Sequence, residues 1–350
     1  MRVSVGCVRR WWLVAAFGAA TGCASSSRRV LQPTPEPSLA RCSAGTGSDA
    51  NAVDIGKPSD DAPLLVLRTP YAGFASISAQ PTLVVWRNGD VLVARFVDKA
   101  RGYQTQVGHI EPQAAFALVA DVAQQLAGEP AFIEPHVSLS DAPMDRLFVF
   151  VDGKWRVWSV YGWWPAELEH PESLETEYQK FEAKKPSLQT LCKGNFEFNF
   201  EGPSECLAPR QPPPAKFAAV YRKLIALQPV DARAFEPARY TIEFFEAWKN
   251  SRDVTWPAEF PALPTKLSPN RCSITEQNGD PCPFDFLPTE NALAKQYADE
   301  VWRAPRSVSP PQLRFAGAAW NFRILEEYRG ERDIWRVAAC AARVGVTQER

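Results

Sequence analysis

The chain has 350 residues, 45% of them apolar and 23% charged, which is the profile of a folded globular protein and not of a disordered one. Its 39 basic and 40 acidic side chains leave a net charge of −1, so there is no basic excess to neutralise phosphates, and a dedicated nucleic-acid binder is argued against. Three histidines and two methionines narrow the metal and redox chemistry open to it, and 31 prolines against 19 glycines point to long, stiff connections.

Arg2, Arg9 and Arg10 precede an apolar run from Trp11 to Ala20, too short to cross a bilayer core, which takes about 20 residues. Residues 1–22 therefore read as a removable signal. Ala20-Thr21-Gly22-Cys23 resembles a bacterial lipobox, with small residues before the cysteine that receives the lipid. Ala20 stands where leucine is usual. Cys23 is the expected lipidation site, and a small tether, Ala24-Ser25-Ser26-Ser27, follows it. This places the protein in a bacterial cell envelope as a membrane lipoprotein, the membrane itself being its first partner. An ordinary cleaved signal with a free Cys23 is the competing reading.

Eight cysteines stand at 7, 23, 42, 192, 206, 272, 282 and 340. Cys7 leaves with the signal, and lipidation of Cys23 leaves six, an even number that favours disulfides in an exported chain. Proximity pairs Cys192 with Cys206 and Cys272 with Cys282, the latter around the turn signal Asn278-Gly279-Asp280. Elimination then pairs Cys42 with Cys340. No C-x-x-C is present and no cysteine lies close to a histidine, so neither a metal nor a cofactor is expected.

Residues 23–62 are rich in Ser, Pro, Gly, Ala and Asp and read as a flexible tether. Order is expected from Leu64 onward, and residues 63–185 read as an α+β domain, an antiparallel sheet with one helix packed on it. Asn88-Gly89 between two apolar runs predicts a hairpin, and a further strand follows over 103–110. Pro112 opens a helix with Phe116, Val119, Ala123 and Leu126 on one face, ended by Gly128. Asp152-Gly153 joins a second hairpin, 147–151 with 155–161. Residues 167–185 read as an exposed helix, and 186–214 as a loop closed by a disulfide. Residues 215–350 form a proline-rich, disulfide-stapled mixed α/β region. In it a helix over 215–227 presents Phe217, Val220, Tyr221 and Leu224, and strands run over 239–248 and 319–328. Residues 289–303 read as a helix, and 333–344 is open between strand and helix.

Pro81 with Asn88-Gly89-Asp90-Val91, Asp141-Ala142-Pro143, Asp152-Gly153 and Ser159-Val160-Tyr161-Gly162 together resemble a group of uncharacterised secreted or lipid-anchored bacterial proteins. That resemblance implies export and an α+β unit and carries no activity.

The usual nucleotide, hydrolase, zinc-protease and calcium signatures are absent. Glu134, His136, Ser138, Ser140, Asp141 and Asp145 put a base, hydroxyls and carboxylates in one loop, the material of an envelope hydrolase. A solvated turn, with Asp141 bonding nearby backbone N–H groups, explains the same residues more simply. His109 and His170 have no partner at metal-ligand spacing. Trp155, Trp158, Tyr161, Trp163 and Trp164 offer a platform for sugar or peptidoglycan, but strand alternation sends Trp155 and Tyr161 to one face and Trp158 to the other, which favours core packing. The leading expectation is a binding or structural role at the membrane surface, with an envelope protein or polysaccharide as partner.

Overall fold

The computed structural model describes residues 29–34, 38–46, 50–68, 81–98, 102–133, 144–162, 168–188, 211–247, 251–267, 282–286, 290–303 and 311–346. The fold is α+β, built on two sheets. The larger has ten strands. Its path runs β11 (Val230–Ala234), β7 (Gly102–His109), β6 (Asp90–Asp98), β5 (Leu83–Val85), β4 (Leu65–Arg68), β9 (Met144–Val151), β10 (Lys154–Tyr161), β3 (Ala52–Asp54) and β2 (Ser43–Ala44). All these pairings are antiparallel, and β8 (Phe132–Ile133) adds a parallel pairing to β10.

The two sequence-predicted hairpins form. At β9–β10, Asp152 and Gly153 both take positive φ (52° and 77°), the conformation a two-residue hairpin turn requires for its twist to match the strands. At β5–β6 the turn is longer than the Asn-Gly signal suggests. Gly89 N–H donates to Trp86 O and Trp86 N–H to Asp90 O, so a type I turn is followed by Gly89 at φ +86°. A side chain at 89 would also meet Ile110 O at 2.0 Å.

Alternation divides the sheet cleanly. Leu65, Leu67, Leu83, Val85, Leu147, Val149 and Trp158 enter one core, and Val66, Val84, Leu92, Phe148, Trp155 and Val157 enter the other. Both faces are covered, which is why these strands read as unbroken apolar runs although the sheet is antiparallel. Helices α1 (Pro112–Gln125) and α3 (Ala215–Ile225) cover the first face, and α2 (Pro171–Leu188) contributes Leu174 to the same core. Phe217, Val220, Tyr221 and Leu224 of α3 are buried as the periodicity predicts. In α1 the buried stripe is instead Ala115, Leu118, Val119, Val122 and Ala123, while Phe116 is 51% exposed. That stripe holds more apolar positions at 3.6 spacing than one drawn through Phe116, so the helix turns Leu118, Val119 and Val122 toward the sheet and leaves Phe116 outside.

The second sheet has six strands, in the order β1 (Gln32–Pro33), β14 (Cys282–Asp285), β12 (Arg239–Glu246), β16 (Ala318–Glu327), β15 (Pro311–Phe315) and β13 (Arg252–Asp253). Helix α4 (Asn291–Arg303) lies against it, over an aromatic core that includes Phe244, Phe260, Phe284, Trp320 and Phe322. The ambiguous stretch near the C-terminus is helical, α5 (Glu331–Arg343), and it covers the second face of the ten-stranded sheet. Among the described residues no helix is long and apolar enough to cross a membrane.

Two expectations about organisation are corrected. The span assigned to a tether, 23–62, is folded wherever it is described: Leu31, Ala52, Val53, Ile55 and Ala62 are buried, and β1, β2 and β3 pair into the sheets. Such two- and three-residue strands carry no periodicity of their own and are held by their neighbours. Nor does the first sheet end near 185. The chain returns to it with α3, β11 and α5.

Candidate functional site

Residues 235–238 carry the chain from β11 of the large sheet to β12 of the small one, and Tyr328–Gly330 carry it from β16 into α5. Gly330 can make this turn because it takes φ +77° and because any side chain there would strike Asp61 O at 2.2 Å. The two crossings bring charged residues together where the sheets meet.

The deeper part is a seam of ion pairs. Arg68, at the end of β4, pairs with Glu331 in the first turn of α5. Glu331 is 6% exposed, and its other oxygen accepts the Tyr328 N–H at 3.1 Å, which returns the carboxylate to the helix N-terminus. Glu327, 2% exposed, accepts the Thr241 hydroxyl and sits 3.3 Å from Arg332 Nε. Arg332 also donates to Asp285 Oδ1 at 2.7 Å, and the same oxygen accepts the Thr34 hydroxyl at 2.5 Å. Burial pushes the Glu331 carboxyl up to about 7; Arg68 opposes that shift and nearby Glu327 adds to it. Burial also raises the Tyr328 phenol, which Glu331 reinforces. For Arg68, burial works against the charge, but Glu331 and Tyr328 outweigh it and its pKa is raised.

Next to the seam a cleft of about 290 Å³ opens, walled by Trp86, Val107 and Phe235 and edged by Asp90, Arg233 and Arg329. The Arg329 guanidinium lies over the Trp86 ring at 5.1 Å, and the Trp86 Nε1–H donates to Arg329 O at 3.0 Å. Arg329 donates to Asp90 Oδ2 at 3.0 Å, and its Nε is 3.8 Å from Asp61. Asp90 also accepts from the Asn88 amide at 2.7 Å and faces His109 Nδ1 at 3.5 Å. Burial pushes the Asp90 carboxyl upward, yet the hydrogen bonds from Asn88, His109 and Arg329 hold it below the usual carboxylate range.

The sequence candidates are distributed unevenly around this site. Cys42 and Cys340 are joined, with Cα atoms 5.5 Å apart, and tie the N-terminal segment to α5. Cys23, Cys192, Cys206 and Cys272 lie outside the described residues, and Cys282 is placed only as backbone of β14. Of the hydrolase loop, 134–143 lies outside the described residues. Asp145 is 0% exposed in β9, a core position and not a solvated turn. Trp155 and Trp158 are buried in the two opposite cores, so they form no platform, while Trp163 and Trp164 lie outside the described residues. His170 is exposed and 3.4 Å from Glu172. His109 is the one candidate drawn to the cleft's edge, through Asp90. No group of three metal-ligating side chains occurs among the described residues.

Sequence reasoning missed Arg68, Trp86, Glu331 and Arg329. The stretch Glu326-Glu327-Tyr328-Arg329-Gly330-Glu331-Arg332-Asp333 carried a signal, six charges around a glycine at a strand–helix junction, but charge density alone does not distinguish a solvated turn from a buried seam. Comparisons with protein-family models, curated proteins and solved structures find no match to this chain.

Proposed function

We propose that this is an exported, lipid-anchored protein of the bacterial cell envelope, held by Cys23, whose folded part has a binding role at the membrane surface. The observation that carries the reading is the Cys42–Cys340 link, a covalent tie between segments 298 residues apart. Such bonds form and persist in oxidising compartments and are rare in the reducing cytosol. The basic and apolar leader ending in Gly22-Cys23 supports the same compartment from an independent part of the chain. The same chemistry extends to pairs Cys192–Cys206, which would close the loop 186–214, and Cys272–Cys282, which would staple the proline-rich C-terminal region. A cleft at the junction of two sheets supports binding, since pockets for small ligands occur preferentially where structural units meet. The test is metabolic labelling with palmitate. The wild type is expected to take up label and partition with membranes, and Cys23→Ser is expected to lose both. Unchanged membrane partition of Cys23→Ser would reject the anchor.

A further inference from the structure

The charges around the cleft are not equivalent. Arg329 is spent on Asp90 and Asp61, and Asp90 is spent on Arg329, Asn88 and His109. Arg233 and Glu236, by contrast, are both exposed on the rim and make no ion pair among the described residues. One unmatched cation and one unmatched anion therefore face a cavity whose remaining wall is apolar: Val107, Ala234, Phe235 and Ala238. Their Cα atoms are three residues apart, at most about 11 Å of extended chain. A ligand carrying an ammonium and a carboxylate at that separation is about two or three residues long by the same measure. A sugar is a poorer match. It offers neither charge, and the Trp86 ring on which it would stack already holds the Arg329 guanidinium.

We propose that the cleft binds a small zwitterion of the short-peptide class, its free carboxylate on Arg233, its free ammonium on Glu236 and its apolar side chain against Val107 and Phe235. This rests on the binding role proposed above and names the ligand class for it. Because residues of the large sheet, the linker 235–238 and the turn before α5 all border the cavity, a bound peptide touches both crossings between the sheets.

Calorimetric titration of the purified protein with the dipeptide Ala-Phe, with its N-acetylated and C-amidated form, and with chitobiose tests this. Ala-Phe is expected to bind, and the doubly blocked form to bind at least about tenfold more weakly, since each terminus loses a charged hydrogen bond. Arg233→Ala and Glu236→Ala are each expected to weaken Ala-Phe by about tenfold with the thermal midpoint unchanged, because both side chains are exposed. Equal binding of free and blocked dipeptide, or unaltered affinity in both variants, overturns the proposal. Chitobiose binding with Ala-Phe silent overturns the ligand class and leaves the binding role standing. Silence of all three probes at millimolar concentration also overturns the ligand class, while the envelope reading stands or falls on the palmitate labelling.

Discussion

Leu65 and Val66 are adjacent in β4, yet the faces they enter are closed by different means. On the Leu65 side, α1 and α3 lie on the sheet through Leu118, Val122, Phe217, Val220 and Leu224, an apolar contact whose charged links among the described residues, Lys216–Glu129, Lys223–Asp121 and Arg95 to Leu227 O, lie at its edge. On the Val66 side, α5 brings Ile334, Val337 and Ala341 but also Arg68–Glu331, Asp333 and the disulfide. Asp333 accepts from both the Ser59 N–H (3.0 Å) and the Ser59 hydroxyl (2.5 Å), and Arg336 donates to Ile55 O at 3.0 Å. The apolar face is closed by material that any well-packed helix supplies. The α5 face is closed by partners that only one register satisfies, and it is the face on which the cleft opens. Apolar contact gives stability and leaves placement to shape. The charged and covalent contacts fix where α5 and the N-terminal segment sit.

The largest effect should come from orphaning one seam charge. Arg68→Ala leaves Glu331 buried without its cation, and urea denaturation at pH 8, where that carboxyl is ionised, should show a loss of about 3–5 kcal/mol. The double replacement Arg68→Met with Glu331→Leu should recover most of that loss, because a buried pair replaced by apolar groups is often neutral. On the opposite face, Leu126→Ala should cost about 2–5 kcal/mol by the same measurement, with no partner able to rescue it. If the double seam variant stays as damaged as Arg68→Ala, the contrast between the faces fails.

What was legible in the sequence follows the same division. The hairpins, α1 and α3 announce themselves because strand alternation, Asp152-Gly153 and the period from Phe217 to Leu224 are local signals. The α5 face is assembled from 52–62, 68 and 327–340, pieces distant in sequence; Ile334, Val337 and Ala341 share a helical face, but no local signal says which segments that face meets. Val53 lies in a segment of tether-like composition and is buried because β3 pairs with β10, Trp155 standing opposite it, and because α5 closes the core it enters. Glu331 lies in a charge run whose burial depends on Arg68, 263 residues away. Elimination among cysteines reached one long-range contact of this face, Cys42–Cys340, because pairing the other four by proximity left these two over.

Removing that link in Cys42→Ser with Cys340→Ser should lower stability by about 2–5 kcal/mol, read by thermal melting against the oxidised wild type. The pH dependence separates the faces more finely. Between about 4.5 and 7 the folded chain keeps a proton on Glu331 that the unfolded carboxyl has released. The folded state therefore binds more protons in that window, and the contribution of Glu331 to stability declines as pH rises through it. Urea midpoints across that range should show the decline in the wild type and lose it in Glu331→Gln, while Leu126→Ala retains it. The smallest effect is expected at Phe116, whose ring stays in solvent: Phe116→Ser should change stability by no more than about 0.5 kcal/mol.

The central claim is that the α5 face is locked in an oxidising compartment outside the cytosol. Thiols of intact cells should be blocked at the moment of lysis, and the protein then digested without reductant and mapped by mass spectrometry. The account predicts one peptide pair joining Cys42 to Cys340, with neither sulfur alkylated. Alkylated Cys42 and Cys340 in the protein taken directly from its cells would contradict it.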